Sequence, residues 1–247
     1  MKKGQRFLQI LLFASLMLSF NNCTDETHDD SPYEREENNQ NRDNTNNRGE
    51  EKKDTEDPHQ SSFFSDEQLS KANTAENCDY LSESEKQTIL YMNLARLDGE
   101  AFTKAYLSDL QNSSNPNERS LIDTLKTIKD KPMLIPNQKL CEASKYHAND
   151  IGSTGEVSHN STDGTSFGNR IRRYYNGGAI AENIAFGNSQ ALKIVRQLLI
   201  DKSSPSHGHR KNILNEKYCR VGIAIAPHAS WSYCCVQDFS DNKGDNQ

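Results

Sequence analysis

Apolar and polar positions divide this chain into stretches of different texture. Phe7 to Phe20 is a nearly unbroken apolar run behind a basic start, Met1-Lys2-Lys3-Gly4-Gln5-Arg6. Residues 24–60 then hold one apolar side chain, Tyr33. A sparse set (Phe63, Phe64, Leu69) returns between 61 and 77 and is expected to dock only loosely on the C-terminal body. From 78 to 240 the pattern becomes periodic. Ser82 with Glu85 three residues later predicts a capped helix start. Ile89, Leu90, Leu94, Leu97 and Ala101 then form one helical stripe, with Asn93 and Arg96 beside it. Residues 111–120 read as a loop, followed by a short helix over 120–129. Leu140, Ala143, Ser144, His147 and Ile151 predict a second amphipathic helix ending at Gly152, with His147 as a satisfied core histidine. A short basic helix is expected over 166–175, and its Arg170, Arg172 and Arg173 read as a solvated face. Residues 180–187 read as a strand with Glu182 near its start, an acid that is costly to bury unless something pairs with it. Ser189 is the predicted cap of a further helix whose inner face is Leu192, Val195 and Leu199. Two β-rich runs, 220–226 and 231–239, joined through Pro227-His228-Ala229-Ser230, predict an antiparallel hairpin. Helices and strands interleave without regular βαβ spacing, which predicts a compact layered α/β domain.

Composition and charge refine this division. A hydrophobic content of 33 % and a mean hydropathy of -0.90 are low for a fully packed chain of 247 residues. The deficit lies in 24–60, which cannot bury enough surface to offset its ordering entropy. A disordered acidic tether is therefore expected over 24–77, a globular domain over 78–240 and a short tail over 241–247. His28 and His59 fall in the tether and read as solvated. Residues 24–60 carry 13 acids and 5 bases, 1–23 carry three bases, and the remainder is near neutral. A body without a basic face argues against nucleic acid as a partner. The apolar run at 7–20 is too short to span a bilayer comfortably, so 1–23 reads as an export signal. It closes Leu18-Ser19-Phe20-Asn21-Asn22-Cys23, which resembles the lipobox of bacterial lipoproteins, with Phe20 and Asn22 departing from the pattern's aliphatic and small positions. That resemblance implies a lipidated Cys23 and a membrane-anchored body in the cell envelope, with an ordinary signal peptide as the alternative.

The candidate chemistry gathers at His207-Gly208-His209-Arg210-Lys211-Asn212-Ile213-Leu214. Two imidazoles separated by a glycine, between a turn-rich segment and an apolar anchor, can titrate near neutrality, bind a metal or shuttle a proton. Three blocks in order then resemble the CAP superfamily, or SCP domain: Ala143-x-x-x-His147-Ala148-x-Asp150 through Ser158-His159, Ala181-Glu182-Asn183-Ile184-Ala185-x-Gly187, and Gly208-His209-Arg210-Lys211-Asn212-Ile213-Leu214. Asn93-Leu94-Ala95-Arg96 is similar to the family's first-helix signature. The resemblance covers about residues 83 to 239. It implies a three-layer α-β-α sandwich with a shallow cleft lined by two histidines, His159 and His209, and the carboxylate of Glu182. The nearest match to the family's second acid is Asp201, one methylene shorter, and His207 falls where the pattern tolerates many residues. Such a set implies a weak, open site for a divalent metal such as zinc, with His159 and His209 as ligands and Glu182 nearby.

Two function classes emerge, and the sequence leaves them open. One is a surface binding module whose cleft holds a peptide, glycan, lipid or metal. The other is a metal-dependent hydrolase using His159, Glu182 and His209, although no serine or cysteine sits in a nucleophile motif and no HExxH occurs. A purely structural role for the cluster is a third reading. Beyond Cys23, five cysteines remain (Cys78, Cys141, Cys219, Cys234, Cys235), and buried free thiols and a two-disulfide framework are both open. Cys234 and Cys235 point to opposite faces of a strand, so at most one is expected to face the core.

Overall fold

A computed structural model describes residues 63–241. The expected export signal, Cys23, His28, His59, most of the tether and the tail from 242 lie outside the described residues. Helix α1 (Asp66–Ala72) opens on a reciprocal capping box between Ser65 and Gln68. Phe64, Ala72 and Ala75 are buried in the main core, so the tether expected through residue 77 has given way to packed structure by Phe64. Helix α2 (Glu83–Leu97) starts at the predicted Ser82–Glu85 capping box. Every residue from Thr88 to Leu97 is buried, so α2 is a helix wrapped on all sides rather than an amphipathic surface helix. Asn93 and Arg96 are thereby inside. Ala101 is off that stripe: the chain turns at Asp98, whose side chain caps a new helix, α3 (Gly99–Tyr106).

Helix α4 (Pro116–Leu125) begins inside the segment expected to be loop. Asn115 caps it and Pro116 fills the first turn, where a missing N–H costs nothing. Strand β1 (Ile135–Pro136) leads into α5 (Gln138–Thr154), which runs past Gly152 and ends at Gly155, a left-handed residue with φ 79°. Gly152 is a contact point instead of a stop. A Cβ there would lie 2.4 Å from the Pro227 carbonyl oxygen, so only glycine lets the helix lie this close to the sheet. Next come α6 (Phe167–Arg172), β2 (Ile180–Phe186) and α7 (Ala191–Ile200). The predicted Ser189 cap is not formed; α7 starts after Gln190 without a side-chain cap. Its buried face is Ala191, Ile194, Val195, Leu198 and Leu199, with Leu192 only half-buried. Helix α8 (Gly208–Leu214) and the predicted hairpin, β3 (Arg220–His228) and β4 (Ser232–Ser240), complete the described chain.

The sheet order is β1-β3-β4-β2, parallel between β1 and β3 and antiparallel elsewhere. Side chains alternate across it. Ile184, Phe186, Ala224, Ala226, Cys234 and Val236 meet Ala148 and Ile151 of α5. Ala185, Val221, Ile223, Cys235 and Phe239 join the larger core with α2, α7 and α8. The result is the α-β-α sandwich, an α/β fold. Because both faces are covered, Cys234 and Cys235 are both fully buried, against the expectation of one. The five described cysteines are free thiols, and burial pushes Cys141 up to about 12 and Cys234 up to about 11.

Candidate functional site

Strand β2 lies at the sheet edge, and its second pair of residues serves both layers. Glu182 faces the α5 side and Asn183 the opposite side, as strand alternation requires. Glu182 is buried among cations and donors. Arg170, fully buried on α6, is ion-paired to Oε2 and donates from Nη1 to the His159 carbonyl at 2.7 Å. His159 donates from Nδ1 to Glu182 Oε1 at 2.8 Å, with a side chain 37 % exposed. His147 on α5 lies 4.0 Å from the same oxygen and donates from Nε2 to the Ser158 carbonyl at 3.0 Å. Burial alone would push Glu182 up. The Arg170 charge and the His159 hydrogen bond outweigh it and hold the carboxyl at about 2. Burial also depresses the His147 imidazole, so that ring is neutral. Against the expectation of a solvated face, Arg170 is the counter-ion that stabilises a buried Glu182. Arg172 and Arg173 keep exposed positions.

The second imidazole has its own acid. Asp201 comes directly after α7 with a left-handed backbone, φ 55°. That turn aims its carboxylate at α8, where Oδ1 accepts from His209 Nδ1 at 2.7 Å and Oδ2 from the His209 backbone N–H at 3.0 Å. The shorter acid reaches because the backbone brings it. His207, also left-handed at φ 53°, makes only a 3.4 Å contact from Nδ1 to the Asp201 carbonyl. The two dyads are tied through β2. Asn183 donates to the His209 carbonyl at 3.1 Å and accepts from Asn212 at 2.9 Å. Glu182 thus serves His159, while Asp201 serves His209.

Both imidazoles donate from Nδ1 to a buried carboxylate, so in the neutral ring the lone pair lies on Nε2. This is the arrangement in which an acid orients an imidazole for ligation or for proton transfer. Among the described residues no group of three or more His, Cys, Asp and Glu side chains is placed to hold a metal ion. The donor set on hand is two acid-oriented imidazoles, one in each dyad. Asp238 escaped the sequence reading. It sits on β4 directly opposite Glu182, 1 % exposed, and its Oδ2 accepts from Ser144 Oγ at 2.6 Å. The signal was an acid at the end of an otherwise apolar strand face, Cys234-x-Val236-x-Asp238.

Residues 119–239 match the family model described as the cysteine-rich secretory protein family, CAP. This segment is a CAP domain. Similar solved structures include an extracellular protein containing an SCP domain from Bacillus anthracis, 20 % identical with a TM-score of 0.42, over 64 % of this chain and 40 % of that one. An outer surface protein from Borrelia burgdorferi is 22 % identical with a TM-score of 0.38, over 44 % of this chain and 78 % of its own. Venom allergen-like protein 4 from Schistosoma mansoni is 12 % identical with a TM-score of 0.42, over 66 % and 92 %. This chain thus spans 40 % of the length of the Bacillus protein. No curated protein sequence matches.

Within the CAP domain, the motif residues divide by task. Arg210 is 3 % exposed and donates to the Leu199, Ile200 and Asn117 carbonyls and to Ser120 Oγ. It closes the end of α7, the turn from which Asp201 projects. Arg96 does the same for α8, donating to the Ile213 and Asn215 carbonyls at 2.6 and 3.0 Å. Asn93 bonds both the Leu134 N–H and its carbonyl, and the Ala72 carbonyl, stitching α1 and the strand approach to α2. These motif positions build the frame around the His159–Glu182 and His209–Asp201 pairs.

Proposed function

We propose that this protein is an exported, lipid-anchored binding module of the cell envelope, with its ligand held at the His159–Glu182 and His209–Asp201 dyads. The observation that carries the reading is the shared geometry of the dyads, each imidazole oriented through Nδ1 by a buried acid. Rings fixed in this way suit holding a ligand. Cys23 carries the lipid, and the acidic tether sets the domain off the surface. The ligand is a divalent transition metal such as zinc, alone or together with a peptide, glycan or lipid group that fills its open positions. His159 and His209 would hold the ion, which would supply a Lewis-acidic attachment point. Two protein ligands make this weaker than a closed structural site, and protons compete with it as pH falls.

Calorimetry with zinc on the wild type, His159→Ala and His209→Ala tests the reading. Weakened uptake in each variant is expected. Equal uptake by all three proteins overturns the metal assignment and leaves the dyads structural. Turnover on a peptide and ester panel that a chelator abolishes would replace the binding module by a metal-dependent hydrolase.

A further inference from the structure

Glu182 and Asp238 are two carboxyls at directly opposed positions of β2 and β4, on the same face of the sheet, and the Arg170 guanidinium is ion-paired to Glu182. Two anions so placed in a dry interior repel strongly, and a single cation cannot neutralise both. The surroundings of Asp238 show how the conflict is resolved. Its Oδ2 accepts from Ser144 Oγ. Its Oδ1 finds no donor among the described residues, and the side chain directly opposite it on β2 is the Glu182 carboxylate, itself only an acceptor. A buried carboxyl oxygen that faces an acceptor and lacks a donor is the natural seat of a proton.

We infer that Asp238 is a positioning residue that stays protonated in the folded protein and donates its O–H to Glu182, fixing the carboxylate that orients His159. Every group packed around it agrees with that assignment. From β2 it faces the anionic Glu182; from α6 comes the charge of Arg170, which is already ion-paired to Glu182; from α5, Ser144 is the donor. The β3 residue opposite is Gly222, which brings no charge. Burial, and then the Glu182 charge, push Asp238 well above the usual carboxylate range, in line with the geometry. Glu182 then has three partners: Arg170 on Oε2, His159 on Oε1 and the Asp238 hydroxyl. The inference concerns the wiring behind His159 and holds whatever ligand the site takes.

Asn reproduces the donor of a protonated acid and cannot ionise, so Asp238→Asn and Asp238→Ala separate this role from a generic structural one. In infrared difference spectra at neutral pH, the wild type should show a protonated carboxyl stretch that Asp238→Asn lacks. Asp238→Asn should keep the wild-type melting temperature and the His159 Nδ1 proton resonance, whereas Asp238→Ala should lower the first and shift the second. No protonated carboxyl at neutral pH, or a His159 resonance in Asp238→Asn displaced far from the wild type, would overturn the inference. If Asp238→Ala does not fold, the comparison of Asp238→Asn with wild type decides alone.

Discussion

Replacing Arg170 by Met keeps most of its apolar volume and removes the charge that Glu182 depends on. The side chain is fully buried and stands over the Phe167 ring, 5.6 Å from its centroid, so the methionine stem has a place to sit. What is lost is the counter-ion of a carboxylate 1 % exposed, together with the donor to the His159 carbonyl. Breaking a buried pair from one side costs about 3–5 kcal/mol, since it leaves an uncompensated charge. For a domain of this size that corresponds to a fall in Tm of roughly 6–20 °C. The pH dependence supplies a sharper check than the size. In the wild type Glu182 is held at about 2, below its ordinary 4.5. Its contribution is therefore complete above 4.5 and fades as pH falls toward about 2. In Arg170→Met burial acts with less opposition and the Glu182 carboxyl rises. A raised carboxyl reverses the sign, so the variant regains stability in acid relative to neutral pH while the wild type loses it. The cost of protonating buried His147 is common to both chains and largely cancels in the difference. Thermal melts of both proteins from neutral pH downward measure that difference. A gap that stays constant with pH, or no gap at neutrality, would refute the assignment of Arg170 as the counter-ion of Glu182.

Two further outcomes test the organisation of the chain. Cys23→Ala should move the protein from the membrane to the soluble fraction and abolish fatty-acid labelling, because stable anchoring depends on the multiple acyl chains of a lipoprotein; unchanged membrane association would remove the anchor from the account. Deleting residues 24–60, with Tyr33 as the sole apolar residue, should leave the melt unchanged, whereas deleting 24–77 should cost at least about 2 kcal/mol through loss of buried Phe64 alone. The longer deletion also takes away Ala72, whose carbonyl accepts from Asn93, and Thr74, whose hydroxyl donates to the Leu134 carbonyl at 2.7 Å. Equal melts of the two deletions would show that α1 contributes nothing to the body.

How much of the fold and the site is legible in the chain depends on whether the signal is local. The Ser82–Glu85 box is a four-residue pattern, and it forms where the sequence predicts it. The hairpin is legible for the same reason, being carried by two β-rich runs and one turn. Glu182 and His209 stand out as polar groups in company with alanine, glycine and isoleucine, whereas His159 stands out only through the resemblance of its block to the CAP pattern. The pairing of those groups is not legible, because it depends on contacts between distant segments. Arg170 sits in a six-residue helix with a second arginine, Arg172, and Arg173 directly after it; only the position of Glu182 decides which of the three turns inward. Asp238 acquires its meaning from the register that sets it opposite Glu182. Asp201 looks one methylene short until its left-handed backbone is known. Gly152 reads as a helix stop by propensity, yet close approach to Pro227 overrides it.

The central claim is that His159 and His209 are each held by a buried acid through Nδ1, so that Nε2 is the atom offered to a ligand. Long-range proton–nitrogen correlation spectra of the imidazole side chains, recorded at mildly alkaline pH, test it most directly. The account predicts that both rings are the Nδ1–H tautomer, that Nε2 is the nitrogen perturbed when zinc is added, and that Asp201→Ala alters only the His209 ring. Spectra with the proton on Nε2 in either ring, or a zinc response on Nδ1, would contradict it.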